Sequence, residues 1–201
     1  MALEPGIFSV ITNAILKPLA DLFLGRWKNS KAKAEELERF YLELSDVRDK
    51  AVEAIRILAE EHNRRNDPYV RAGRRWDRYG PISSPSRIEF FAVRSIFTSR
   101  YGDFTAGQRQ AFKQVLEFAD AYNEHLARLN LLHGEHFDKF DWGFAIQPIG
   151  TLASMAFLLA KMVELRERFH IKDSETSTSA VQAVLSAYQI ALYDVEFEEA
   201  E

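Results

Sequence analysis

Two rows of apolar residues, each spaced seven apart, run through the region from Ser30 to Arg65 and constrain the fold more than any other feature. One row holds Leu37, Leu44, Ala51 and Leu58, and the other holds Phe40, Val47 and Ala54. Residues seven apart return to the same side of an α-helix, so this spacing predicts one long helix with an apolar seam, which we place at residues 28–65. Such a seam needs other helices to cover it.

The rest of the sequence also has the periodicity of amphipathic helices, with apolar residues at intervals of three and four. Glycine and proline, which interrupt helices, number only nine and six in 201 residues. We predict five helices besides the long one, at about 7–27, 86–100, 105–133 and 150–169, with a last helix after residue 174. The chain is therefore expected to be a single all-α domain over residues 1–201. The helix at about 105–133 also has a heptad-like seam, formed by Phe112, Val115, Ala119, Tyr122, Leu126 and Leu129. We predict a helical bundle of about six helices, in which this helix and the long one, both heptad-patterned, lie antiparallel.

Local signals place several helix ends. Two pairs have the spacing of a capping box, namely Ser86 with Glu89 and Thr105 with Gln108, and each predicts the start of a helix. Asp173 or Ser174 is expected to cap the last helix, whose apolar face extends to Val195. The helix that begins at Ser86 has little polar face, with Phe91 among its apolar residues, and is expected to be well buried.

The charge of the chain is unevenly distributed. The formal net charge is -4, but the segment from Arg64 to Arg87 holds seven arginines and two aspartates, a charge of +5, so the remainder carries -4 − 5 = -9. A body at -9 repels a long polyanion, so extended nucleic acid is an unlikely partner. The last eight residues, 194–201, hold five acids and are expected to fray as an acidic tail.

The arginine segment has the sequence RRNDPYVRAGRRWDRYGPISSPSR. Its prolines and glycines predict a long loop at residues 66–85, between the second and third helices. Arginine grips phosphate or carboxylate with two parallel hydrogen bonds and stacks on aromatic rings, so this mixture suits an anionic ligand or partner. The candidate binding residues are its arginines and two of its rings: Arg64, Arg65, Arg71, Arg74, Arg75, Trp76, Arg78, Tyr79 and Arg87.

Three interpretations of this segment remain open. It binds an acidic protein partner or a second copy of the chain, with the acidic tail as the complement. It holds a local phosphorylated or nucleic-acid ligand, as part of an enzyme or effector in which His62 is the nearest candidate base. Alternatively it straps the chain by pairing with acids of the second helix, namely Glu35, Glu36, Glu38, Glu60 and Glu61.

Two apolar stretches raise the question of membrane contact. Residues 7–27 form a helix, bent at Pro18, whose polar residues make one narrow stripe, so a peripheral membrane role is an alternative. The 19 residues from Trp142 to Ala160 carry no charge, and we expect them to be buried core. The N-terminus has Glu4 where a secretory signal would be basic, so we expect a cytoplasmic protein.

No signature of catalysis or metal binding stands out. The chain has no cysteine, which excludes disulfides, thiolate metal sites and a cysteine nucleophile. One short region holds the residues His125, His133, Glu135, His136, Asp138 and Asp141. We interpret this region as a polar helix end. We therefore expect no catalytic residue, no metal and no cofactor, and a non-enzymatic interaction protein.

Overall fold

The computed structural model describes residues 17–66, 85–135, 146–172 and 175–193, and its side chains over 30–64, 85–128, 146–172 and 175–193. These residues form five α-helices: α1 (Lys17–Asn66), α2 (Phe91–Ser99), α3 (Ala106–Glu135), α4 (Ile146–Leu165) and α5 (Ser177–Ala187). Short 3₁₀ turns follow α2 and α4, at Tyr101–Asp103 and Arg166–Arg168. No strand occurs among the described residues. The prediction of an all-α fold is confirmed, whereas the count of six helices and the heptad packing stay predictions.

Helix α1 shows that the predicted helix boundary at residue 28 is wrong. Residues 17–27 are continuous with the long helix, which ends at Asn66. Gly25 is the only glycine in this helix, and a single glycine costs about 1 kcal/mol without breaking a helix. The predicted bend at Pro18 is at the edge of the described residues, most of the predicted helix 7–27 lies outside them, and the bend stays a prediction.

Residue contacts divide the chain into two compact units, Met1–Phe40 and Tyr41–Glu201, with the boundary inside α1. In the first unit, the side chains described at 30–39 are all exposed or half-buried. In the second unit, α4 packs against both α3 and α5. The prediction of a single domain over the whole chain stays a prediction.

Helix α4 is the core helix of the second unit. Ten of its twenty residues are buried, among them Leu152, Met155 and Leu159. It is apolar on most sides, as a helix enclosed by neighbours must be. It begins at Ile146, four residues before the predicted start at Gly150, and Pro148 is tolerated because a first-turn proline removes no helical hydrogen bond. Of the described residues of the uncharged stretch, 146–160, nine of fifteen are buried and Gln147 is exposed, so the expected burial holds for most of the stretch.

Aromatic rings join α2 to α3. The ring centroid of Phe97 lies 4.4 Å from that of Phe112, 5.1 Å from that of Phe104 and 5.4 Å from that of Tyr101. Phe90 meets Phe112 edge-on, with a centroid distance of 6.0 Å. Aromatic pairs of this kind add about 0.5–1.5 kcal/mol beyond the area that they bury. The short helix α2 is therefore held by its rings.

The capping box of Thr105 and Gln108 is confirmed and continues into a buried network. The Thr105 N–H donates to Gln108 Oε1 at 2.8 Å, and the Gln108 N–H donates to Thr105 Oγ1 at 3.2 Å. Gln108 is 1% exposed, and its Nε2 donates to Tyr41 Oη at 3.0 Å and to the Arg166 carbonyl at 2.8 Å. One buried amide therefore joins α1, the start of α3 and the turn after α4.

The capping box predicted at Ser86 and Glu89 is wrong. Residues 85–90 are not helical, and α2 begins at Phe91 without a side-chain cap. The cause is a partner from α3, because the side chain of Asn123 binds both the N–H and the C=O of Ile88. The Ile88 carbonyl, which in a helix would accept from the residue four positions later, accepts from Asn123 instead. Phe91 was expected to be buried, and it is 79% exposed.

The last helix differs from its prediction at both ends. Its N-cap is Thr176, whose Oγ1 accepts from the Ser179 N–H at 3.1 Å, instead of Asp173 or Ser174. It ends at Ala187, well before Val195, in a Schellman motif in which Gln189 has φ 54°. The Ile190 N–H donates to the Leu185 carbonyl at 2.9 Å and closes this motif. The chain beyond it turns away from the helix axis.

Candidate functional site

The arginine segment is the candidate site, and the structure describes its two ends. Arg64 and Arg87 are described with their side chains, and Arg65 is described as part of α1 without its side chain. The remaining candidate residues lie outside the described residues: Arg71, Arg74, Arg75, Trp76, Arg78 and Tyr79. The structure shows how the fold holds these two described ends.

At the first end, Arg64 pairs with an acid of its own helix. Its guanidinium is hydrogen bonded and ion paired to the Glu61 carboxylate, three residues earlier. The Glu61 side chain is only 8% exposed, against 38% for Arg64. A carboxylate this buried needs a cationic partner, since an unpaired one costs several kcal/mol by typical desolvation energies. Arg64 therefore compensates Glu61 within α1, and the internal-strap interpretation of the loop stays a prediction.

The residues just before Arg64 bind the end of the chain's last described segment. Asn63 Nδ2 donates to the Ala191 carbonyl at 2.7 Å, and the Tyr193 N–H donates to Asn63 Oδ1 at 2.9 Å. His62 Nε2 lies 3.0 Å from the Tyr193 carbonyl, which can only accept, so this nitrogen carries the proton and donates. Tyr193, the residue before the acidic tail, is therefore held beside the start of the arginine segment.

His62 was the nearest candidate base for an enzyme acting at this segment. It is 3% exposed and engaged with the Tyr193 carbonyl, so it does not present a free acceptor nitrogen at Nε2. A general base must reach its substrate's proton through such an acceptor. The geometry therefore gives His62 a structural contact with the C-terminal segment.

At the second end, two side chains of α3 fix the extended residues 85–90. Tyr122 Oη donates to the Ser86 carbonyl at 3.0 Å. The Ile88 N–H donates to Asn123 Oδ1 at 3.0 Å, and Asn123 Nδ2 donates to the Ile88 carbonyl at 2.8 Å. Tyr122 is fully buried, and burial raises the pKa of its hydroxyl well above the ordinary value, so it stays a protonated donor.

This anchoring turns one set of side chains inward and another outward. Ile88 and Phe90 are 3% and 4% exposed and pack in the core, whereas Arg87 and Phe91 face solvent. Within the part of the chain that the structure describes, Arg87 has no hydrogen-bond or ion-pair partner. Arg87 and Phe91 therefore expose a cation and an aromatic ring to solvent, next to backbone that side chains of α3 fix.

Four residues of this arrangement were not singled out from the sequence as site residues: Asn63, Tyr122, Asn123 and Phe91. The two asparagines act through contacts with residues 128 and 35 positions away, which no spacing rule detects. Phe91 belongs to a dense apolar run, and its neighbours hide its exposure. Only the structure shows that Phe91 is exposed while its apolar neighbours Ile88 and Phe90 are buried.

Metal ligands do not come together in the described residues, where no group of three or more His, Asp or Glu side chains stands close enough to hold an ion. His125 is described on α3, half-buried. The side chains of His133, Glu135, His136, Asp138 and Asp141 lie outside the described part.

One described helical stretch, Ile146–Arg168, is long and apolar enough to cross a membrane by length and composition. The fold buries 56% of its most apolar window. The core helix of a bundle has the same properties, and α4 occupies such a position.

Comparison of the chain with protein-family models, with curated proteins and with solved structures gives no significant match.

Proposed function

We propose that this protein is a non-enzymatic interaction protein that binds an acidic protein surface, including that of a second copy, through the arginine segment 64–87. The observation that carries the proposal is the outward presentation of Arg87 and Phe91 on a backbone pinned by Asn123 and Tyr122. Arginine and aromatic side chains dominate the energy of protein interfaces, and a fixed backbone lowers the entropy lost on binding.

The charge distribution supports an acidic partner. The segment carries +5 on a chain of net charge -4, so an acidic surface gains attraction there and repulsion elsewhere. The tail 194–201 holds five acids and follows Tyr193, which Asn63 binds next to the first arginine, so the chain carries an acidic complement of its own. We place the protein in the cytoplasm on this proposal.

A titration with the chain's own acidic sequence tests the proposal. A labelled peptide of residues 188–201 is added to the full chain, and binding is followed by fluorescence anisotropy at low and high salt. Changing Arg74 and Arg75 to Glu should weaken binding by about tenfold or more, because charge reversal replaces attraction with repulsion. High salt should weaken wild-type binding through screening.

The matched control reverses two exposed arginines outside the segment, Arg56→Glu with Arg128→Glu, whose side chains are 49% and 66% exposed. It changes the net charge by the same amount, so it separates a local site from overall charge. Equal losses in the two double variants, or no salt dependence, would reject the segment as the binding site.

A peripheral membrane role for residues 7–27 is the second candidate. It is favoured by the helical conformation from Lys17 onward and by four cations that follow the apolar stretch: Arg26, Lys28, Lys31 and Lys33. Vesicles that contain phosphatidylserine should float the full chain but not a chain that lacks residues 1–28. Failure of the full chain to float would exclude this role.

A further inference from the structure

A cleft of about 400 Å³ opens where α4 packs against α3 and α5, and nothing in the proposed interaction uses it. We call it the α4 cleft. It is lined by Phe118 and His125 of α3, by Gln147, Gly150, Thr151 and Ser154 of α4, and by Ser177, Thr178 and Val181 of α5. Its volume is in the range of ligand sites, which run from about 300 to 1,000 Å³.

The cleft is open because α4 has small side chains on this one face. Its four lining residues on α4 stand at positions i, i+3, i+4 and i+7, which is one side of a helix. At Gly150, a Cβ atom would meet no other atom within 4 Å. The buried faces of the same helix carry Leu152, Met155 and Leu159 instead, so the core is filled while this face is not.

The polar groups of the cleft are uncharged hydroxyls and an amide, together with one imidazole. Ser154 is 8% exposed, and its Oγ lies 3.4 Å from Ser177 Oγ, longer than a normal bond between hydroxyls. Thr151 Oγ1 donates to the Gln147 carbonyl at 3.0 Å and keeps its lone pairs to accept. Donors and acceptors therefore both remain for a ligand in the cleft.

No lysine, arginine, aspartate or glutamate is among the described residues that line the cleft. Lys161 and Glu175 are close in the chain to Ser154 and Ser177, but they form an ion pair with each other. A charged ligand would lose its water without gaining a counter-charge, which is costly. A neutral ligand with several hydroxyl groups would find donors and acceptors, while its C–H faces would contact Phe118 and Val181.

We propose that the α4 cleft is a binding site for a small uncharged polyol, of a size between glycerol and a monosaccharide. This site is independent of the arginine segment and does not depend on the interaction proposed there.

The test measures binding of named probes to the full chain by ligand-observed NMR and by shifts of the protein's amide signals. The neutral probes are glycerol, D-glucose and myo-inositol, and the anionic probes are acetate and inorganic phosphate. We expect at least one neutral probe to bind with shifts at His125, Ser154 and Thr178, and neither anion to do so. Binding of the anions alone, or of none of the five probes, overturns the proposal.

Two variants locate the binding. Gly150→Met fills the cleft from a position with open space, and methionine is a better helix former than glycine, so the fold should be kept while binding is lost. Gly102→Met is the matched control, since a Cβ there also meets nothing within 4 Å and the residue does not line the cleft. Polyol binding that survives Gly150→Met, or that is lost equally in the control, overturns the assignment.

A milder variant covers the event that Gly150→Met does not fold. Ser177→Ala removes one hydroxyl from a partly exposed pair, and the loss of one neutral hydrogen bond should weaken polyol binding roughly three- to tenfold. Unchanged affinity in a folded Ser177→Ala chain contradicts the use of this hydroxyl and the proposed site.

Discussion

Replacing Asn123 by alanine should destabilise the fold far more than replacing Asn63, although each asparagine makes the same kind of paired contact with a backbone. Asn123 binds the N–H and C=O of Ile88, which is 3% exposed. In Asn123→Ala both groups stay buried without a partner, at about 1–3 kcal/mol each. The expected loss is therefore about 2–6 kcal/mol in the free energy of unfolding.

Asn63 provides the comparison, because its partners face water. It binds the Ala191 carbonyl and the Tyr193 N–H, and both residues are exposed. Water can replace the lost bonds, so Asn63→Ala should cost about 1 kcal/mol. Urea unfolding followed by circular dichroism gives both values, and hydrogen exchange at the Ile88 amide should accelerate only in Asn123→Ala. A cost for Asn123→Ala equal to or below that for Asn63→Ala would refute the reasoning.

Three further predictions test other parts of the fold. Gln108→Leu should cost about 2–3 kcal/mol in urea unfolding, and Tyr41→Phe only about 1, because the first removes the three hydrogen bonds of the buried amide and the second removes one of them. The hydrogen bond from Lys161 lowers the pKa of Glu175, so this pair stabilises the fold above the ordinary carboxyl pKa of 4.5, and the gain is lost as pH falls through the lowered folded value. Melting temperatures of the wild type and Glu175→Gln should therefore differ at pH 7 and converge in acid; a constant difference would contradict the assignment. Gln189→Gly should stabilise by up to about 1 kcal/mol in thermal unfolding, since φ is 54° there, and a loss would count against strain at this turn.

Local signals in the sequence predicted the long helix well at one end and poorly at the other. The predicted C-terminal end at residue 65 lies one residue from the end of α1 at Asn66, and Asp67-Pro68 follows in the sequence. Its N-terminal part was assigned to a separate helix, yet no strong helix breaker separates Trp27 from Ser30. Periodicity locates helices, but it does not decide whether two neighbouring patterns share one backbone.

The two predicted capping boxes show where sequence reasoning stops. Thr105 and Gln108 bind each other within one turn, so their spacing was sufficient. Ser86 and Glu89 have the same spacing, but residues 85–90 are not helical. The side chain of Asn123, 35 residues away in the chain, binds the Ile88 N–H instead. Tertiary contacts override a local signal of about 1 kcal/mol.

The sequence predicted which residues make up the candidate site, but not the contacts that hold its two ends to the fold. The sequence identified the arginines and named Glu61 among the acids expected to pair with them, and the structure pairs Glu61 with Arg64 inside one helix. That such pairs hold the loop stays a prediction. The contacts of Asn63 with Ala191 and Tyr193 join positions about 130 apart, and only folding reveals them. These contacts hold Tyr193, the residue before the acidic tail, beside Asn63, the residue before the arginine segment.

Reversing the charges of both the arginine segment and the acidic peptide tests most directly the central claim, that the segment binds an acidic partner. The peptide 188–201 with Glu196, Glu198 and Glu199 changed to Lys is titrated against the wild type and against Arg74→Glu with Arg75→Glu, beside the unchanged peptide. The account predicts that the lysine peptide binds the doubly changed chain about tenfold or more tightly than it binds the wild type, because like charges repel and opposite charges attract at this surface. The lysine peptide binding both chains equally would contradict the account.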